Sequence, residues 1–235
     1  FLAAGVHADG VVGVSAGALF GVNYLSGQAG RAIRYNKRYN RDKNYMGLRP
    51  LLREGNLFST RYAYDLVPRK LDPFDDDAFQ KSGVPFYAVV TDVDTGLPRY
   101  IRVTSVFEQM DALRASGSMP FVSRPVLLDG RRYLDGGVSD SIPFRWMSAQ
   151  GYDKLIVVLT REEGYRKTPM NPALLRLLGM RSPALARRLA RRHDDYNRAL
   201  EELERWQAEG RAFVVRPSRK TPIRRIETDP DKLQQ

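Results

Sequence analysis

The sequence predicts an α/β protein with a mostly parallel or mixed central sheet, and three observations predict it. Apolar runs of strand length recur along the chain: "GVVGV" at 10–14, "PFYAVVTDV" at 85–93 and "KLIVVLT" at 154–160. Stretches with helical spacing lie between them, and glycine-bearing turn signals join strands that no helix separates. Strands alternating with helices, with hairpins inserted, form a layered α/β structure.

Each element follows in order. "FLAAGVHADG" reads as the last turn of a helix stopped at Gly5, then a turn. "GVVGV" is a short buried strand, and "AGALFGVNYLSG" is a helix suited to packing on a sheet. Residues 31–82 form a basic, irregularly amphipathic insertion of helices and loops, with Tyr35, Tyr39, Tyr45, Tyr62 and Tyr64 between basic residues. "PFYAVVTDV", the turn "DTG" and "RYIRV" (99–103) predict a hairpin. Residues 106–116 carry apolar positions 106, 107, 110 and 113, a helical spacing. "PVLLDGRRYLDGG" (125–137) is two short strands joined by Asp129-Gly130. "KLIVVLT" is a further core strand. Residues 182–210 form a long helix capped by Ser182, with Pro183 at its first position and Gly210 at its end. Leu185, Leu189, Tyr196, Leu200, Leu203 and Trp206 make its apolar stripe. "AFVVRPS" (212–218) is the last strand.

With 235 residues, 43% of them hydrophobic, one sizeable core is within reach. No linker or repeat divides the chain, so a single domain over 1–235 is expected. No apolar run approaches the ~18–20 residues of a membrane span. The opening residues lack the basic and small-residue pattern of a signal peptide. Zero cysteines exclude disulfides and cysteine-held metals and suit a reducing compartment, so a cytoplasmic location is expected. Net charge is +11, concentrated in residues 31–70 (eleven basic against three acidic) and 161–235 (eighteen against eleven). Such patches attract phosphates of nucleic acid or anionic lipid, or are simply a solvated surface.

"GVSAG" at 13–17 fits G-x-S-x-G between a predicted strand and a predicted helix. A sharp corner there would expose the Ser15 hydroxyl, with Gly13 and Gly17 lacking the side chains that would collide across the bend. The helix start behind it, beginning with the Ala16 N–H, offers partial positive charge to an oxyanion. Serine needs a base. The chain has two histidines. His7 falls at the opposite end of the strand, ~16 Å from the elbow at ~3.3 Å per residue. His193 falls on a charged helix face, where a solvated surface residue is expected. Asp135, which ends "RRYLD" and precedes Gly136 and Gly137, is the better partner, since those glycines allow close approach.

The order of these segments resembles the patatin-like phospholipase family, in its bacterial branch. "GVVGVSAGALFG" is similar to the family's nucleophile elbow, "FYAVVTDVDTGLPRYI" to its central hairpin, and "ASGSMPFVSRPVLLDGRRYLDGGVSDSIPF" (115–144) to the segment entering its aspartate motif. The tail "RRIETDPDKLQQ" (224–235) and the basic 31–82 stretch resemble segments of small bacterial members. The resemblance implies a three-layer fold and lipid acyl hydrolysis by a Ser-Asp dyad, Ser15 as nucleophile and Asp135 as general base. No cofactor and no metal is implied. The family's glycine-rich oxyanion loop and first strand precede the helix in which this chain opens. The first strand is therefore expected to be missing and the chain to be a weak catalyst. Pro120, Phe121 and the apolar residues of 20–25 are candidates for acyl-pocket lining, or are ordinary core. The expected partners are an acyl-lipid substrate and, peripherally, an anionic membrane surface; nucleic acid is not expected. Three alternatives stand beside this reading: a Ser15–His193–Asp135 triad esterase, a basic nucleic-acid-binding module, and a non-catalytic relative.

Overall fold

The computed structural model describes residues 1–222, 227 and 229–234; most of the 224–228 stretch of the tail lies outside the described residues. A 3-10 turn over Leu2–Ala4 ends at Gly5 in the left-handed region, φ 64°. β1 (Val11–Val14) follows and passes through Ser15 alone into α1 (Ala16–Leu25). The 31–82 stretch is helical as its spacing predicts. It holds α2 (Arg31–Tyr39), α3 (Leu48–Glu54), a π-helix over Tyr62–Leu71 containing Pro68, and α4 (Asp76–Lys81). The hairpin is β2 (Phe86–Asp92) and β3 (Pro98–Val103). α5 (Met110–Gly117) starts later than the apolar spacing predicts, because the Gln109 side chain accepts hydrogen bonds from Thr104 and Ser105 and holds 104–109 as a turn. β4 (Val126–Leu128) and β5 (Arg131–Asp135) join through Asp129 and Gly130, both at positive φ (48° and 75°), the tight turn their sequence signals. Then come α6 (Phe144–Ala149), β6 (Leu155–Val158), α7 (Pro172–Gly179), α8 (Pro183–Ala208), β7 (Ala212–Val215) and α9 (Pro230–Gln234). Ser182 stands at the start of α8 but its side chain makes no capping bond.

The protein is a mixed α/β structure with a central sheet flanked by helices. β3 takes one edge of β2 along Phe86–Thr91. The other edge is shared by two strands: β1 pairs parallel along Phe86–Val89, and β5 pairs antiparallel along Val90–Asp92. β4 continues the sheet beyond β5. On one face Phe86, Ala88 and Val103 pack against Ala18 and Val22 of α1, Phe79 of α4 and Leu113 of α5. On the other, Leu134 and Val138 meet Leu185 and Leu189 of α8, and Tyr87 meets Trp146 of α6 edge-on at 4.8 Å. The predicted apolar stripe of α8 is the face it buries: Leu200 and Leu203 cover β6 and β7.

One expectation is corrected. β6 is not a core strand buried on both faces. Among the described residues it pairs with β7 alone, in a separate parallel ribbon, and Ile156 (48% exposed) and Val158 (59%) stand on its open face. Helices cover one side, so alternate residues remain in water. Among the tyrosines of the basic stretch, Tyr35, Tyr39 and Tyr45 are buried, ring against ring at 5.2–6.2 Å.

Candidate active site

The site is built where two strands meet end to end. Val14, the last residue of β1, is opposite Val89, and Asp135, the last residue of β5, is opposite Val90. Those partners are consecutive and therefore ~3.8 Å apart. A strand has two edges and β3 occupies the other, so β1 and β5 run toward each other along a single edge. Neither can continue in the sheet. Ser15 turns the chain out at φ 54°, ψ −120° into α1, on the α5 face. Asp135 turns it out through a 3-10 turn, Gly136–Val138, on the α8 face. Positive φ is strained for serine and persists only where the surroundings enforce it. Here the oncoming strand does so.

One short segment holds both residues. The Ser15 N–H donates to Ser116 Oγ at 3.0 Å, and the Asp135 N–H donates to Ser118 O at 2.8 Å. Ser116 is fully buried, at the end of α5. Asp135 is 7% exposed; its Oδ1 accepts from the Gly137 N–H at 2.7 Å, and its carbonyl accepts from Thr91 Oγ1 at 2.8 Å.

The glycines have unequal reasons. A Cβ on Gly13 would come within 2.5 Å of Ala18 Cα and Gly17 O, and one on Gly136 within 2.1 Å of Val89 O, so both let backbone cross backbone. At Gly137 it would sit 3.1 Å from Asp135 Oδ1. At Gly17 it would meet nothing within 4 Å, so the expected collision across the bend is absent there. Ala16 is the first residue of α1, and a first-turn N–H has no partner in its own helix.

Around this centre, sequence reasoning missed several residues. Tyr64, in the π-helix, is half-buried beside Gly117. Burial pushes its hydroxyl up to about 12; the Arg114 cation works against this and the Asp135 charge adds to it. Tyr64 therefore stays protonated at neutral pH. It also lines a cavity of about 490 Å³ with Thr60, Arg61, Phe107 and Met110. On the opposite face, Arg192 Nε donates to Gly137 O, and Arg188 donates to Ser139 O, clamping the aspartate turn to α8. The only advance signals were serines in "ASGS" where a helix end would bury apolar groups, and arginines flanking an apolar stripe.

The histidines stand apart. His7 is exposed and precedes β1, at the end away from the elbow. His193 is half-buried rather than solvated; its Nε2 lies 3.3 Å from Asp194 of its own helix, and its Nδ1 is enclosed without a hydrogen-bond partner among the described residues. Of the pocket candidates, Val22 is core, Phe20 packs on the tyrosine cluster, and Phe121 is 47% exposed at φ 72°.

A sharp elbow serine and an aspartate meeting at one sheet edge, under flanking helices, define a class, and comparison with known proteins names it. A family model for patatin-like phospholipase matches residues 2–146. The chain belongs to the patatin-like phospholipase family. A domain of unknown function (DUF6363) matches residues 182–235, which include α8 and β7. The uncharacterized protein YjjU of Escherichia coli (strain K12) is 30% identical over 164 residues, 68% of this chain. The chain spans 46% of that relative's length. Among the described residues, no helix is long and apolar enough to cross a membrane.

Proposed function

We propose that the chain carries the catalytic centre of a lipid acyl-ester hydrolase, with Ser15 as nucleophile and Asp135 as general base. The observation that supports it most is the end-to-end meeting of β1 and β5 on β2, which sets the two residues side by side although 120 positions separate them. Asp135 takes the Ser15 proton as Oγ attacks the ester carbonyl. The carbonyl oxygen becomes an oxyanion facing the Ala16 N–H and the positive end of α1. Collapse expels the alcohol, which leaves with the proton held by Asp135, and an acyl-serine remains. Water, giving its proton to Asp135, attacks the acyl-serine; the bond to Ser15 Oγ breaks, Oγ takes that proton back from Asp135, and the fatty acid leaves.

The test is hydrolysis of p-nitrophenyl butyrate and of phospholipid vesicles by the wild type and three variants. Ser15→Ala and Asp135→Asn are each expected to lower the rate by ~10³-fold or more, as losing a residue of a concerted unit does. His193→Ala should leave it within about two-fold, since that side chain is engaged on its own helix. A large loss in His193→Ala would replace the dyad with a triad. Equal rates in wild type and Ser15→Ala would place the chain among non-catalytic relatives.

A further inference from the structure

α3 exposes apolar side chains where burial would be expected. Leu48 and Leu52 are 75% and 84% exposed, the two most open large apolar residues among those described. Four positions apart, they lie on one helix face, while Pro50 is buried on the other side. Arg49 and Arg53 on the same helix are exposed, as is Lys43 just before it. A second exposed element is tied to the end of α3. The Leu57 N–H donates to Val122 O at 2.8 Å, and the Arg124 N–H donates to Asn56 Oδ1 at 2.8 Å. Between these bonds and α5 lies Phe121, half in water. Glu54, the last residue of α3, lines the same cavity as Tyr64, so the helix that carries the apolar tips and their arginines ends at that cavity.

We infer that α3 and the Phe121 turn are the face by which the chain seats on an anionic lipid bilayer, an inference that rests on the lipid-hydrolase reading. Leu48, Leu52 and Phe121 enter the boundary between headgroups and acyl chains, and Arg49, Arg53 and Arg124 meet lipid phosphates. The charge decides the occupant: apolar tips set among arginines match a negatively charged interface. A stable interface with another protein needs ~800 Å² per partner, more than three side chains supply.

The experiment is co-sedimentation with vesicles of phosphatidylcholine, alone or mixed with phosphatidylglycerol, at low salt. The wild type is expected to bind the mixed vesicles. Leu48→Asp with Leu52→Asp should weaken binding about ten-fold or more. Arg49→Glu with Arg53→Glu should weaken it about five-fold for each charge. Leu174→Asp with Leu177→Asp, on the exposed face of α7, should leave it unchanged. The aspartate pair on α3 should keep its circular dichroism and its rate on p-nitrophenyl butyrate, since these residues pack on nothing. Binding through α3 without any ester hydrolysis would refute the catalytic reading and leave the surface standing. The inference is overturned if the α3 pair binds like wild type, if only the α7 pair loses binding, or if the wild type binds no vesicle. It is overturned equally if the α3 pair changes oligomeric state, which would make this face a self-association surface.

Discussion

β2 and β6 are both short apolar strands with a parallel neighbour, yet β2 is enclosed and β6 is half open. Every residue of β2 except Tyr87 is buried, both its edges are paired, and helices cover both faces. Among the described residues β6 has one partner, β7, and its outer row of Ile156 and Val158 faces water, with exposed Phe213 opposite Ile156. The difference shows where precise geometry can be built. A residue pair that must stay within a few tenths of an ångström of a working arrangement needs a reference fixed from all sides, and β2 is that reference. The elbow and the aspartate are both registered against it; nothing comparable is registered against β6.

The sharpest way to break this comparison is to truncate both strands. Phe86 is fully buried, with its ring 5.9 Å from Phe79, so Phe86→Ala should cost about 3–5 kcal/mol in urea unfolding. Ile156→Ala should cost less than about 1 kcal/mol. Equal costs would mean that the β6 face is covered in solution. Next come the glycines. Gly136→Ala and Gly13→Ala force a side chain onto backbone and should each cost about 1–3 kcal/mol with loss of activity. Gly17→Ala, in open space at the start of α1, should be neutral or add about 0.4–1 kcal/mol.

A smaller effect is expected at the far end of β2. Asp92 is buried, which alone would raise its carboxyl, yet hydrogen bonds from the Thr95 and Asp94 amides and from Arg131 hold it below the ordinary aspartate value. Because the folded value is depressed, its contribution is present above the unfolded value of 3.8 and is lost as pH falls through the folded one. Asp92→Asn should therefore cost about 1–3 kcal/mol at neutral pH. The gap to wild type should close in acid, as pH-dependent thermal melts would show. A gap that widens in acid would contradict the assignment.

Local chemistry carried much of the fold into the sequence. Asp129-Gly130 marks a turn because its φ values must be positive, and the spacing in α8 marks the face it buries. The sharing of one β2 edge by β1 and β5 was not legible this way, because the meeting of residues 14 and 135 leaves no local trace; the glycines after Asp135 allowed a close approach to Ser15, and the resemblance joined the two. Burial was harder still. "KLIVVLT" and "FYAVVTD" look alike, and neither says how many of its faces another element will cover. Tyr64 escaped because a tyrosine among basic residues reads as surface until a π-helix half-buries it beside Gly117.

The central claim is that Ser15 and Asp135, brought together along β2, form one reacting unit. Its most direct test is to treat the chain with a fluorophosphonate and map the adduct by peptide mass spectrometry, since labelling requires an activated serine but no turnover. The account predicts a single adduct on the elbow peptide at Ser15, absent in Ser15→Ala, slowed by orders of magnitude in Asp135→Asn and unaffected in His193→Ala. An adduct on another serine, or labelling of Ser15 at the wild-type rate in Asp135→Asn, would contradict it.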